Sequence, residues 1–170
     1  SLNISLDGVK EGDFTMVFGF PGRTNEYLTA AAVKQIMTVS DPAKIKIRHH
    51  ALEVLMGFMR RDEKIRIQYA AKYAGIENAY KKWQGEVLGL NRSDAVGKKL
   101  AYEATFQERV NANPAWKEKY GNLLTELSAA YTTIQPYSYA RDYFSEIVPK
   151  VELLGIAADM NSLITALGKD

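Results

Sequence analysis

The sequence predicts a mainly α-helical chain, a multi-helix cap or bundle led by a short N-terminal β-hairpin. Three observations predict it. After Gly22, apolar residues recur at steps of three and four over most of the chain. Helix-start signals recur at Asp41-Pro42, Asp62 and Asn113-Pro114. Polar and apolar residues alternate only near the N-terminus, in Asn3-Ile4-Ser5-Leu6 and in Phe14-Thr15-Met16 before Val17-Phe18.

The two alternating pieces flank Asp7-Gly8-Val9-Lys10-Glu11-Gly12-Asp13, which is rich in turn residues, so together they predict a hairpin. Gly19-Phe20-Pro21-Gly22 then turns the chain. Thr24 is placed to cap a helix running to about Thr38. Ser40-Asp41-Pro42 predicts a stop and a restart, with Asp41 as N-cap and Pro42 at the first helical position. That helix carries Ile45, Leu52, Leu55, Met56 and Met59 on one side and ends near Arg61. Asp62 caps the next helix, which runs to about Leu90, and Asn91-Arg92-Ser93-Asp94 breaks or bends it. A further helix covers roughly 94–111. Asn113-Pro114 restarts the pattern with a stripe of Trp116, Tyr120, Leu123, Leu124, Leu127 and Tyr131. Pro136 opens another segment through about Phe144, and Pro149 precedes a last apolar helix over about 151–167.

A lone two-stranded hairpin is marginal in water and needs a sheet or a helix to cover it. The simplest account is that residues 1–23 are the last strands of a larger sheet domain, that 24–170 form a helical domain, and that the chain is a fragment of a longer protein.

Composition narrows the function classes. The chain has 170 residues, enough for one domain with a core, or two small ones. A net charge of +2 does not call for nucleic acid. No apolar run reaches the roughly 18 residues of a membrane span, and SLNISLDGVKEGD shows neither part of a signal peptide. With no cysteine, disulfides and thiolate metal sites are excluded.

The stretch from 62 to 90 is the most informative. Tyr69, Tyr73, Ile76, Tyr80, Trp83, Val87 and Leu90 form a heptad seam, expected to pack on a neighbouring helix. Gly75, Asn78, Lys82, Gly85 and Gly89 form a second row on a different face, extended by Ala71 and Ala74. Each glycine in a helix interior costs about 1 kcal/mol relative to alanine, so a continuous helix would give up about 3 kcal/mol here. Close approach of another backbone or a ligand would offset that. Asn78 lies in the middle of this face, and its amide offers a donor and an acceptor suited to a peptide backbone or an amine. Periodicity leaves a second reading open: a helix bent or broken at its glycines, with Asn78 bonded to a neighbouring loop.

Other groups suggest little chemistry. His49 and His50 point about 100° apart on a helix and do not form an i, i+4 metal pair, so they are expected as ordinary helix residues, one of them half-buried. Arg60-Arg61, Lys81-Lys82 and Lys98-Lys99, with Asp62, Glu63, Glu77, Glu86 and Glu103 nearby, fit solvated helix faces. Tyr131, Tyr137, Tyr139 and Tyr143 fit an inter-helix packing layer around Pro136.

The Gly-Phe-Pro-Gly turn, YAAKYAGIENAYKKWQGEVLGL (69–90) and VNANPAWKEKYGNLLTELSAAY (110–131) together resemble the bacterial dipeptidyl-peptidase 7 and dipeptidyl-peptidase 11 type serine exopeptidases, over about residues 8–155. The resemblance implies a chymotrypsin-like double β-barrel carrying a Ser-His-Asp triad, with an inserted helical domain capping the active-site cleft. It implies release of dipeptides from peptide N-termini, secretion to the periplasm or surface of Gram-negative bacteria, homodimers, and no cofactor. The Gly-Phe-Pro-Gly strand would close the first barrel. Ala74-Gly75-Ile76-Glu77-Asn78 matches the family's Ala-Gly-x-x-Asn motif, which makes Asn78 a ligand of the substrate's N-terminal amine. The family's triad histidine and aspartate lie upstream of the turn, and its serine and specificity residues lie downstream of the helical domain. On that reading this chain holds no catalytic residue and is inactive alone.

Two functions therefore follow: the helical cap of a serine dipeptidyl-peptidase, or a stand-alone helical interaction module whose hairpin docks on a partner. The hairpin separates them, since an autonomous domain would cover it with its own helices.

Overall fold

The computed structural model describes residues 4–19, 22 and 24–168, excepting the side chain of Thr165. Its elements are α1 (Ala30–Gln35), a π-helical turn (Ile36–Ser40), α2 (Asp41–Met59), α3 (Glu63–Arg92), α4 (Ala95–Ala112), α5 (Pro114–Tyr120), α6 (Leu123–Ile147), a 3-10 turn (Val148–Lys150) and α7 (Glu152–Leu167). The mainly helical class is as expected. Among the described residues no helix is long and apolar enough to cross a membrane.

No strand is present among the described residues, so the expected hairpin is not seen. Asn3, and Phe20 and Pro21 of the Gly19-Phe20-Pro21-Gly22 turn, lie outside those residues. A turn does form, with the Lys10 amide donating to the Asp13 carboxylate at 2.8 Å and Gly12 at φ 95°. The flanking segments do not pair across it. Ile4, Leu6, Phe14, Met16 and Val17 are exposed, and Phe18 is 98% exposed. With no sheet or helix against either face, pairing two short strands gains too little to fix their backbones.

The first helix starts at Thr29 rather than Thr24: the Thr29 hydroxyl accepts from the Ala32 amide at 3.3 Å. Glu103 of α4 accepts the Ala30 amide at 2.6 Å, which satisfies a second free N–H of that helix end. Ser40-Asp41-Pro42 does not stop the helix. The chain passes from α1 through the π turn into α2 with helical dihedrals throughout, and the Asp41 amide donates to the Ile36 carbonyl five residues back. In an α-helix the Pro42 ring would press on the carbonyl four residues earlier; the wider turn relieves that clash. Pro136 likewise lies inside α6 instead of opening a new segment. The break expected nowhere in the Trp116–Tyr131 stripe falls at Gly121-Asn122, between α5 and α6.

Other boundaries follow the local signals. The Asp62 carboxylate accepts from the amides of Lys64 and Ile65, and Asn113 accepts from Ala115 and Trp116 with Pro114 at the first turn. Between α3 and α4, Asp94 takes a left-handed conformation (φ 48°) and accepts from the Gly97 amide. The Asp94 carboxylate sits where a Cβ on residue 97 would be, so a larger residue there would displace the capping side chain.

Helices α2 and α3 form an antiparallel pair across the Arg60–Asp62 turn, with Lys44 against Trp83 and His49 against Tyr80. Helix α6 runs parallel to α2 on its other side. Helix α1 packs on α4 and α6. The core is thin: Ala30, Ala32, Val33, Ala43, Leu52, Met59, Ile76 and Val110. Each fully buried larger side chain among these contributes about 1.5–3 kcal/mol. Val110 is the most enclosed, at 1% exposure. Val110→Ala should therefore destabilise the protein by about 2 kcal/mol in urea unfolding; a midpoint unchanged from wild type would show that α4 is not anchored there.

Candidate functional site

Helix α3 runs without a break from Glu63 to Arg92, so it is neither bent apart nor terminated at its glycines. Its heptad seam turns inward: Ile76 is buried, and Tyr69, Tyr73, Tyr80, Trp83, Val87 and Leu90 are half-buried. The second row turns outward. Ala71, Ala74, Gly75, Asn78, Lys82, Gly85 and Gly89 are all exposed, and a Cβ at Gly75, Gly85 or Gly89 would meet nothing within 4 Å. The Asn78 carboxamide makes no hydrogen bond to any described residue. Among the described residues neither loop nor helix covers the row, so the local cost of its glycines is not offset by packing there.

The inner side of the same helix is held by charge. Arg48 of α2 donates from Nε and Nη2 to the two oxygens of Glu146 on α6, at 2.7 and 3.1 Å. Its Nη1 reaches the carbonyls of Gly75 (3.3 Å) and Ile76 (3.0 Å) on α3. The guanidinium carbon lies 4.6 Å from the Trp83 ring centroid, and the Lys44 ammonium lies 4.7 Å from the same centroid. Lys150 closes the group from the 3-10 turn, pairing with Glu146 Oε2 at 2.7 Å and donating to the Glu146 carbonyl. Burial would raise the Glu146 pKa, but the hydrogen bonds and charges of Arg48 and Lys150 outweigh it and hold the carboxyl below its ordinary value of 4.5.

Asp41, only 2% exposed, behaves oppositely. One oxygen pairs with Lys44 at 3.2 Å; the other has no partner among the described residues. Burial raises its pKa above the ordinary 3.8; Lys44 opposes the rise, and the charge of Glu86 adds to it.

The remaining candidates are peripheral. His49 and His50 are both exposed, which corrects the expectation that one is half-buried. His49 contacts Glu53 (3.4 Å) and the Tyr80 hydroxyl (3.4 Å), and His50 contacts Glu53 (3.2 Å). Lys81–Glu77 and Lys82–Glu86 are i, i+4 pairs on the outer face, as expected, whereas Lys99 donates to the Glu26 carbonyl and Glu103 caps α1. Of the tyrosines, Tyr139 and Tyr143 meet with ring centroids 4.7 Å apart and planes tilted by 48°, and bond through their hydroxyls, while Tyr137 is exposed, so the packing layer is partial. Tyr139 and Tyr143 line a cleft of about 570 Å³ between the π turn and α6, into which both Pro42 and Pro136 face.

Comparison with known proteins decides the family. The Peptidase S46 family model matches residues 1–170. The chain belongs to the peptidase S46 family. It is similar to the Asp/Glu-specific dipeptidyl-peptidase of Flavobacterium psychrophilum, with 52% identity over 163 residues covering 95% of this chain and 23% of the relative. The corresponding figures for the Asp/Glu-specific dipeptidyl-peptidase of Capnocytophaga gingivalis are 47%, 96% and 23%. For dipeptidyl-peptidase 7 of Porphyromonas endodontalis they are 34%, 94% and 20%. The chain thus spans between a fifth and a quarter of these relatives' length, and serine-type peptide hydrolysis fits the family.

Sequence reasoning picked out Asn78 and missed Arg48 and Glu146. The signal available was local: Arg48 falls in step with Ile45, Leu52, Leu55 and Met59 on the packed side of α2, where a charge needs a partner. Glu146 contributes stability that is fully present above about pH 4.5 and is lost as pH falls through its lower folded-state value. Ionised Asp41 opposes folding, so its effect is absent below about pH 3.8 and grows as pH rises through its higher folded-state value. Thermal melts should show Glu146→Gln destabilised by about 2 kcal/mol near neutral pH, with the difference shrinking towards pH 3. Asp41→Asn should instead be stabilised near neutral pH and converge on wild type in acid. Parallel pH profiles for wild type and both variants would contradict the assignment.

Proposed function

We propose that this chain is the helical part of a dipeptidyl-peptidase, that it caps the active-site cleft, and that Asn78 helps bind the substrate's N-terminal amine. The observation that carries the reading is the outer face of α3, where an unbroken helix shows alanines and glycines on either side of Asn78, interrupted only by Lys82, which is drawn aside to Glu86, and a free carboxamide at its centre. Such a face admits a peptide backbone closely. An amide oxygen accepts a hydrogen bond from an ammonium group without neutralising it, and acidic groups elsewhere in the cleft supply the countercharge. An enzyme that counts two residues from a chain end needs a contact of this kind.

The exposed surface supports a role inside a larger molecule. The chain exposes 13940 Å², against about 8,400 Å² for a compact monomer of this mass. Residues 4–19 are bare of the helices, which weighs against an autonomous module that covers its own strands. On this proposal residues 1–23 become the closing strands of a chymotrypsin-like barrel when the rest of that barrel pairs with them, residues 24–170 form the inserted helical domain, and the catalytic triad lies in other parts of the polypeptide. The proposal extends to the family setting: a homodimer in the periplasm or at the surface of a Gram-negative bacterium. The two relatives at 52% and 47% identity are Asp/Glu-specific enzymes, so an acidic residue before the cut is expected.

In the full-length enzyme Asn78→Ala should lower kcat/KM for release of an unblocked dipeptide by about tenfold or more, the loss of one hydrogen bond to a charged group. Unchanged KM and kcat would remove Asn78 from the site. Faster release of dipeptides ending in leucine than of those ending in aspartate or glutamate would refute the acidic preference.

A further inference from the structure

We propose that Arg48 is a positioning residue for amine recognition: its guanidinium, tethered by Glu146, fixes the Ala74–Asn78 turn of α3 so that the Asn78 carboxamide is presented at one height and rotation. The inference rests on the amine-binding reading of Asn78. Its support is geometric. Nη1 grips the carbonyls of Gly75 and Ile76, and the Gly75 carbonyl lies one helical turn before Asn78. Gly75 weakens this turn, because glycine in a helix interior destabilises it locally. The guanidinium is itself held on three sides, by both oxygens of Glu146, by the Trp83 ring and by the two carbonyls. Only a planar fork of donors can satisfy all of these together.

The arrangement places grip and display on opposite sides of one helix. Ile76 faces the buried interior beside Arg48, whereas Asn78, two residues on, faces outward. Lys150 pairs with the same carboxylate, so Glu146 stays ionised and aligned even though it is buried. A hydrogen bond to a substrate ammonium depends on sub-ångström placement, and a turn free to slide or rotate would lose it.

The test uses the full-length enzyme and competitive inhibition by a product dipeptide and by its analogue lacking the N-terminal amine. The ratio of the two inhibition constants reads amine recognition alone, since general damage to the fold weakens both. Arg48→Lys keeps the charge and the pairing with Glu146 but cannot also reach both carbonyls; it should cut the wild-type ratio by about tenfold. Asn78→Ala should cut it to a similar extent, and the double variant should fall little further. Sulfonylation of the catalytic serine by a small sulfonyl fluoride, with loss of fluoride, at the wild-type rate verifies that the catalytic barrel is assembled. If Arg48→Lys fails that check, Glu146→Gln, which frees one side of the guanidinium, carries the comparison with a smaller fall in the same direction. A wild-type ratio in Arg48→Lys beside a reduced ratio in Asn78→Ala overturns the positioning role and leaves the amine reading standing. Losses that multiply in the double variant also overturn it, because Arg48 would then act independently of Asn78. A wild-type ratio in Asn78→Ala overturns the amine reading and this inference with it.

Discussion

The guanidinium of Arg48 is the point on which the arrangement of α2, α3 and α6 depends. One planar group meets a carboxylate on α6, two backbone carbonyls on α3 and an indole on α3. The chain has few large buried apolar side chains with which to align these helices otherwise. A buried charge pair adds little net stability over an apolar substitute, but removing one partner is destabilising, because the other charge is left uncompensated. The pair therefore specifies geometry more than it supplies stability. The geometry it specifies is the angle of the longest helix and the direction in which its outer face points.

The same logic explains an inversion in α6. Its buried positions are Ser138, Asp142 and Glu146, at steps of four, while Ile134, Tyr137, Phe144 and Ile147 face outward. Helix α7 is likewise exposed along Leu153, Ile156, Met160, Leu163 and Ile164. Ion pairs tie α6 to α2 through Arg48–Glu146 and α7 to α3 through Lys72–Glu152, and the apolar sides of α6 and α7 stay open, as suits a unit that spans less than a quarter of its relatives' length.

Legibility in the sequence followed the range of the interaction involved. Asp62 and Asn113-Pro114 were readable because a cap bonds to amides two or three residues away. The seam and the small-residue row of α3 were readable because both are periodic within one helix. Pro42 and Pro136 were misread as breaks: one is absorbed by a π turn, the other lies inside the continuous α6, and neither outcome shows in local propensity. The hairpin was read from alternation alone, which says that strands are favourable but not what would cover them. Arg48 and Glu146 stand 98 residues apart, and no spacing rule links them. The resemblance to dipeptidyl-peptidases was legible because it rests on long motifs rather than on single residues, and the family match agrees with it.

The central claim is that the outer face of α3 lies along the substrate cleft with Asn78 at the peptide's free end. The most direct measurement is a crystal structure of the full-length enzyme with a dipeptide bound. The account predicts the Asn78 carboxamide oxygen within about 3 Å of the dipeptide's amine nitrogen, a hydrogen-bonding distance, with Arg48 still on the Gly75 and Ile76 carbonyls. A dipeptide whose amine is held elsewhere, with the small-residue row of α3 packed against protein or facing bulk solvent, would contradict it.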